Sequence, residues 1–239
     1  MAALKIYTNW NKRSNDTENK IEPFRKYFFI CEGQNTEFWY FTKLKDIKKE
    51  LSISSTIEIE VLEKTDEDKN SSNPKNLINM AEKFKKDKNK FDSKRDKMII
   101  VFDVDIFESQ QNNYEEILKL GKNKNKNILG ITNPSFELFL LLHYKNSLDE
   151  IIIPNKEEII KNEWTFTTGS KMRFVEKLFR EKSNLMPKKD SDIGNLANNV
   201  LIAIEQEKND KINKNVDNCK GLITSNIGSI IESIINDKS

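Results

Sequence analysis

The first 145 residues alternate short apolar runs with longer segments of helical periodicity. The runs KYFFIC (26–31), MIIVFDVDIF (98–107) and ILGIT (128–132) are almost continuously apolar until an acid or a turn ends them. Such runs are typical of strands that are buried on both faces. A fourth run, TIEIEVLE (56–63), alternates apolar and acidic residues and predicts a strand with one face in water.

Helical segments are predicted between these strands. Apolar residues recur at helical spacing from Thr36 to about Glu50, from Pro74 to 91, and across 113–127. A further helix is predicted directly after ILGIT, with Asn133 as its N-cap and Pro134 as its first helical residue. This strand–helix alternation predicts an α/β fold with a mostly parallel sheet flanked by helices.

The chain is predicted to have three parts. A polar N-terminal arm covers 1–24, an α/β core covers 25–145, and a mainly helical C-terminal region covers 146–239. Helices are expected in that last region at 170–182, 191–209 and 222–236, packed on the core. No long Pro-, Gly- or Ser-rich linker separates the parts.

The composition of the chain limits the kinds of metal site and binding surface that it can contain. Because the net charge is only +2 over 239 residues, any positively charged surface that binds nucleic acid must be local. The single histidine, His143, excludes His-rich zinc sites, so a metal would be held by carboxylates and would be a hard cation. The two cysteines have no C-x-x-C spacing, and the chain has neither a signal-like apolar core near its start nor a bilayer-spanning run. A cytoplasmic protein without a membrane partner is expected.

Three acids follow two of the buried strands. Glu32 follows KYFFIC, the first strand in chain order, and Asp103 and Asp105 lie at the end of MIIVFDVDIF, the third strand in chain order. The carboxyl ends of parallel strands lie at one edge of the sheet, where ligands bind, and residues two apart on a strand face the same side. Carboxylates so placed repel one another unless a cation lies among them, which predicts a Mg²⁺ or Mn²⁺ site. The alternative is that they are ordinary surface acids where strands meet solvent.

Two neighbouring residues extend the candidate site. Gly33 permits a tight turn or a close backbone approach by a ligand. Glu37 lies near the start of the first helix, where it would either support the site or complement the helix dipole.

Several segments together resemble one protein family. ICEGQNTEFWYF resembles the opening E-G-x-x-T-E-x-x-Y-F of RloB-like proteins, which are related to AbiL-type abortive-infection proteins. FDVDIF resembles their D-x-D strand end, and ITNPSFELFLLLHY resembles their S/C-N-P-x-F-E-x-W-L-L-L-H-F segment. KKDSDIGNL and LITSNIGSIIESI are similar to later motifs, with Ile223 where the family usually has Pro. The resemblance covers about residues 26–235.

This resemblance implies a Toprim-like fold and phosphodiester chemistry on nucleic acid around Mg²⁺. It implies that Glu32, Asp103 and Asp105 hold the metal and catalyse hydrolysis, with Glu32 as ligand or general base. Glu137 and His143 occupy family positions and would take secondary roles, such as proton transfer or phosphate contact. From helical spacing alone, His143 is better explained as a core residue on an apolar helix face.

The expected function is a metal-dependent nuclease acting on RNA or DNA in antiphage defence. Two alternatives stay open, namely a phosphatase of the haloacid-dehalogenase type with Asp103 as nucleophile, and a non-catalytic scaffold that binds nucleic acid or a partner ATPase. A homo-oligomer is also compatible with the apolar stripe of the fourth helix. Phosphate contacts would come from basic residues of the C-terminal half, although most of these are expected to be ordinary solvated charges. These residues are Lys171, Arg173, Lys188 and Lys189.

Overall fold

The computed structural model describes residues 23–64, 73–104, 111–122, 127–167 and 170–238. Its centre is a five-stranded sheet with the order β2–β1–β3–β4–β7, and a separate hairpin pairs β5 with β6. The strands are β1 (Arg25–Cys31), β2 (Ile57–Leu62), β3 (Lys97–Asp103), β4 (Ile128–Asn133), β5 (Trp164–Thr167), β6 (Ser170–Arg173) and β7 (Thr224–Ser225). Strands β1 to β4 run parallel, and β7 is antiparallel to β4.

Helices cover both faces of the sheet. They are α1 (Thr36–Asp46), α2 (Pro74–Lys85), α3 (Gln111–Lys122), α4 (Phe136–Leu141), α5 (Lys156–Lys161), α6 (Phe174–Ser183), α7 (Val200–Glu207) and α8 (Ile227–Ile235). A π-helical turn spans Leu148–Ile152, and a 3₁₀ segment spans Ser191–Asn199.

The continuous apolar runs form strands because both faces of the sheet are covered. In β1, Tyr27, Phe29 and Cys31 enter the core shared with α1, α4, α6, α7 and α8. Phe28 and Ile30 enter the opposite core, shared with α2 and α3. An alternating pattern would have left one face wet. The predicted α/β fold, with its mostly parallel sheet and helical C-terminal part, is confirmed.

The predicted helix at 170–182 was wrong at its start. Ser170–Arg173 is strand β6, paired with β5, and α6 begins only at Phe174. The side chain of Glu176 accepts a hydrogen bond of 2.9 Å from the Arg173 backbone amide, which closes the helix N-terminus there. The segment predicted as a helix at 191–209 likewise begins as 3₁₀ turns before α7.

Two further boundaries differ because asparagine side chains bind backbone groups elsewhere. Asn133 ends β4 rather than capping α4, since its side-chain amide donates to the carbonyls of Cys219 and Leu222. Ser135 occupies the N-cap position instead. Asn226 bridges to Leu129 and Ile131 of β4, so 222–236 yields strand β7 before helix α8.

The C-terminal region therefore completes the sheet as well as packing on it, because β7 is its fifth strand. The three-part division of the chain stays a prediction. Within the described ranges, no helix has both the length and the apolar character needed to cross a membrane.

Candidate metal and phosphate site

Glu32 and Asp103 meet at the carboxyl edge of the sheet because β1 and β3 are neighbours. Cys31 pairs with Val101, and the Glu32 amide continues the ladder to the Val101 carbonyl at 2.9 Å. The Glu32 carboxylate then accepts a hydrogen bond from the Asp103 backbone amide, with 3.2 Å between Oε2 and N. The juxtaposition expected of a parallel sheet is present for these two acids, whereas Asp105 lies outside the described residues.

The next strand orients the Asp103 side chain. Thr132, the β4 partner of Asp103, is fully buried and donates its hydroxyl hydrogen to Asp103 Oδ1. On the other side, the Lys64 ammonium donates to the backbone carbonyl of Glu32. The two acids are thus held by β4 and by the end of β2 as well as by their own strands.

Gly33 is needed for the placement of Glu37. The Gly33 amide donates to Glu37 Oε1 at 3.2 Å. A Cβ at Gly33 would lie 1.9 Å from Glu37 Oε2, so any side chain there would displace this carboxylate. Glu37 is also in the first turn of α1, so it satisfies a loop amide and complements the helix N-terminus at once.

These residues open into a cleft of about 500 Å³. Its lining combines the loop after β1, the end of β3, the start of α4, the β5–β6 hairpin and the segment around Lys188. The lining residues are Glu32, Gly33, Gln34, Asn35, Thr36, Glu37, Asp103, Ser135, Glu137, Trp164, Arg173, Glu176 and Lys188. Five predicted site residues in addition to Glu32 and Asp103 are among them, namely Gly33, Glu37, Glu137, Arg173 and Lys188.

Negative charge dominates the cleft. Five carboxyl groups and two cationic side chains belong to its described lining. Burial raises the pKa of Glu137 to about 7, the Ser135 hydrogen bond partly opposes this, and the charges of Glu176 and Glu37 add to the rise. Burial also raises the pKa of Glu37, against its hydrogen bonds and the charges of Lys188 and Lys64. Such a cleft gains stability by holding protons or a cation.

Lys188 joins the C-terminal half to this cleft. Its ammonium lies 2.7 Å from Glu176 Oε1, its backbone amide donates to the Thr36 hydroxyl at 3.0 Å, and its carbonyl accepts from the Asn35 side chain at 2.7 Å. Of the other predicted phosphate contacts, Lys171 and Lys189 are exposed outside the described lining.

His143 lies in the core rather than the cleft. Only 1% of it is exposed, Tyr40 Oη lies 2.9 Å from its Nε2, and its Nδ1 lies 3.0 Å from the Phe139 carbonyl. Burial lowers its pKa to about 4, so the ring is neutral at pH 7, donating from Nδ1 and accepting from Tyr40. The structure thus places His143 as a core residue, and the rest of its apolar stripe is buried with it.

The donor atoms of the cleft suit a hard cation. Its described lining offers carboxylate, amide and hydroxyl oxygens and contains neither histidine nor cysteine, which matches Mg²⁺ or Mn²⁺ rather than Zn²⁺. Within the described ranges, no three acidic, histidine or cysteine side chains are grouped to bind a metal. Glu32 and Asp103 therefore supply two carboxylates, and the predicted set needs Asp105 as its third.

The family model for RloB-like proteins matches residues 27–234. The chain belongs to the RloB-like protein family. The match runs from β1 to α8, so it includes every described residue of the cleft. Comparisons with curated proteins and with solved structures found no match.

Trp164 and Glu176 of this RloB-like protein line the cleft without having been predicted as site residues. The alternation of aromatic residues with threonine in WTFT, followed by SKMR, is a strand signal that could have revealed the hairpin carrying Trp164. Glu176 accepts a hydrogen bond from the Arg173 backbone amide at the start of α6, so its position three residues after Arg173 is a local signal, but the signal indicates a helix start rather than a cleft.

Proposed function

We propose that this RloB-like protein is a Mg²⁺- or Mn²⁺-dependent nuclease that hydrolyses phosphodiester bonds in RNA or DNA. The supporting observation is the hydrogen bond from the Asp103 amide to the Glu32 carboxylate, which brings the acids of two strands to one cleft. A scissile phosphate placed directly among the five carboxyl groups of that cleft would be repelled unless a cation were bound there.

Glu32, Asp103 and Asp105 would hold the cation, which when bound neutralises charge on the phosphate and lowers the pKa of a bound water. Thr132 keeps the Asp103 carboxylate in one orientation. As the oxygen of the attacking water bonds to phosphorus and the ester oxygen departs, Glu32 would accept the proton that the water loses.

Glu137 is suited to donate a proton to the departing ester oxygen. Its carboxyl group lines the same cleft, and burial raises its pKa to about 7 in the metal-free protein, so that a proton can be held there close to neutral pH. A carboxyl group in that state can donate its proton to the departing oxygen. Ser135, whose hydroxyl hydrogen bonds Glu137 Oε2 at 2.7 Å, would keep it in position.

The test is cleavage by the purified full chain with Mg²⁺ or Mn²⁺. Labelled RNA, labelled DNA and p-nitrophenyl phosphate are offered to the wild type, to Glu32→Ala and to Asp103→Ala. The matched control is Glu63→Ala, because Glu63 is an exposed acid that follows β2 at the same sheet edge outside the cleft. The proposal predicts that both cleft variants lose polynucleotide cleavage and that the control keeps it.

Other outcomes would contradict the proposal. Hydrolysis of the small phosphate that survives Glu32→Ala and disappears with Asp103→Ala would indicate a phosphatase with Asp103 as nucleophile. Inactivity of the wild type on all substrates, together with tight binding of nucleic acid or of an ATPase, would indicate a scaffold. Thermal denaturation of each variant shows whether a loss of activity is a loss of folding.

We also propose a role in antiphage defence, on the basis of the resemblance to AbiL-type abortive-infection proteins. The test is phage plating on bacteria that express the wild type or Asp103→Ala, each with and without a neighbouring ATPase gene. Protection by the wild type but not by Asp103→Ala supports the role, whether or not the ATPase gene is required. Equal plating in all strains contradicts it.

A further inference from the structure

The β5–β6 hairpin has one buried and one exposed face. Cross-strand pairing joins Trp164 to Arg173 and Phe166 to Lys171, with Thr165 and Met172 between them. Because side chains alternate along a strand, Trp164, Phe166, Lys171 and Arg173 share one face. Met172 on the other face is only 5% exposed. The hairpin is therefore anchored through Met172 and presents what we call the aromatic face: Trp164, Phe166, Lys171 and Arg173.

The aromatic face leaves large apolar surface in water. Trp164 is 49% exposed and Phe166 is 81% exposed, although most large apolar side chains of the described residues are buried. An exposed cluster of this kind on a folded protein usually marks a binding surface. Neither ring is needed to fill the core, since the hairpin packs through its other face.

Cations lie directly against these rings. The Lys171 ammonium is 4.7 Å from the Trp164 ring centroid and 5.7 Å from that of Phe166. The Arg173 guanidinium carbon is 4.4 Å from the Trp164 centroid. The face thus offers flat π surfaces and positive charge within a few ångströms of one another, which matches a ligand that carries planar rings and anions in alternation.

The aromatic face is continuous with the acidic cleft. Trp164 and Arg173 line the cleft together with Glu32 and Asp103, while Phe166 and Lys171 are one pair further along the hairpin. A chain molecule lying along the hairpin would therefore enter the cleft at Trp164. Arg173 is held for this by a hydrogen bond of 3.1 Å from Nη1 to the Asn162 carbonyl.

We propose that the aromatic face binds unpaired nucleotides of single-stranded nucleic acid and leads the strand into the cleft. Bases stack on Trp164 and Phe166, and the phosphates between them contact Lys171 and Arg173. Duplex bases are stacked on each other and offer no free face, so single strands are the preferred class. This inference rests on the proposed function in taking nucleic acid as the ligand of the cleft.

The test is binding of the full chain to fluorescently labelled oligonucleotides in EDTA, measured by anisotropy. Single-stranded RNA, single-stranded DNA and duplex DNA, each of about 12 nucleotides per strand, are compared. Stacking on one aromatic ring predicts that Trp164→Ala and Phe166→Ala each weaken single-strand binding by roughly 5- to 100-fold. Trp164→Leu, which keeps apolar volume without an aromatic ring, should weaken it similarly.

The chain provides a matched control. Phe24 is 44% exposed, and the Arg25 guanidinium carbon lies 5.7 Å from its ring centroid, but it precedes β1 at the opposite edge of the sheet. Phe24→Ala should leave the affinity unchanged. The inference is overturned if the wild type binds duplex as tightly as single strands, or if Trp164→Leu and Phe166→Ala bind like the wild type.

The design separates this inference from the nuclease proposal, because EDTA removes divalent cations and no cleavage is needed. Single-strand binding that depends on the aromatic face supports the inference even if Mg²⁺ produces no cleavage. Metal-dependent cleavage that is unchanged in the aromatic-face variants overturns the inference and leaves the nuclease standing. Comparison of the RNA and DNA arms identifies which single strand is the ligand.

Discussion

Replacing Glu137 by glutamine should change how the stability of this protein depends on pH. The Glu137 carboxyl group is 4% exposed and bonds to the Ser135 hydroxyl, which glutamine can still reach with its amide oxygen. Its pKa is about 7 in the folded protein, against 4.5 for an ordinary glutamic acid. The substitution therefore removes an ionisation while keeping the shape and the hydrogen bond.

The magnitude follows from the difference between the two pKa values. Because the folded state holds the proton more tightly, the stability contributed by protonated Glu137 is fully present below pH 4.5 and is lost as pH rises to about 7. The loss amounts to roughly 3 kcal/mol over the whole interval. Between pH 5 and 8, the free energy of unfolding of Glu137→Gln should rise relative to the wild type by roughly 2 to 3 kcal/mol.

The free energies of unfolding of the wild type and Glu137→Gln must be compared at each pH, because the contribution of His143 to stability changes with pH in the opposite direction. Its pKa is lowered to about 4 in the folded protein from 6.5, so its contribution is lost as pH falls from 6.5 toward 4. The wild-type profile alone would combine these two contributions with that of Glu37, whose pKa is also raised by burial. Subtracting it from the variant profile cancels the His143 contribution.

Urea unfolding in EDTA at pH 5, 6, 7 and 8 provides the measurement, with the free energy extrapolated to zero urea. Glu205→Gln is the control, since the Glu205 side chain is 78% exposed and pairs with Lys208 at the surface. Parallel pH profiles for the wild type and Glu137→Gln would refute a raised pKa, and with it the proposed proton donor.

Three further substitutions test the placement of buried groups by urea unfolding. Gly33→Ala should displace the Glu37 carboxylate and cost about 1 to 3 kcal/mol, because the new Cβ would lie 1.9 Å from its oxygen. His143→Leu should cost about 1 to 3 kcal/mol by leaving the Tyr40 hydroxyl unpaired, with any cleavage rate per folded molecule unchanged. Glu207→Ala should cost about 3 kcal/mol, because this carboxylate accepts two backbone amides at the start of α8.

Each of these has its own counter-result. Glu205→Ala on the same helix as Glu207 should change stability little, so an equal loss in both would contradict the capping role. A cleavage rate that falls with His143→Leu in fully folded protein would support the secondary role that the family resemblance implies for His143. Wild-type stability in Gly33→Ala would show that Glu37 is not held against that glycine.

The pairing of Glu32 with Asp103 could be predicted because it depends on local signals and one general rule. Each acid follows a short apolar run of the kind typical of a buried strand, and parallel strands end at one edge. The hairpin was missed because SKMRF fits the first turn of the helix that follows it. Strand β7 was missed because two residues carry no periodicity, and only the Asn226 contacts to β4 fix their place.

The bonds between Lys188 and the loop after β1 have a consequence for when the cleft can exist. Asn35 and Lys188 are 153 positions apart, yet the loop after β1 and the first turn of α1, which carry Glu32 and Glu37, are hydrogen-bonded to Lys188. A growing chain on the ribosome could pair β1 with β3 and still lack the wall that holds Glu176 and Arg173. The finished cleft, and whatever chemistry it performs, therefore arises only after synthesis has passed Lys188, long after β1 and β3 have been made.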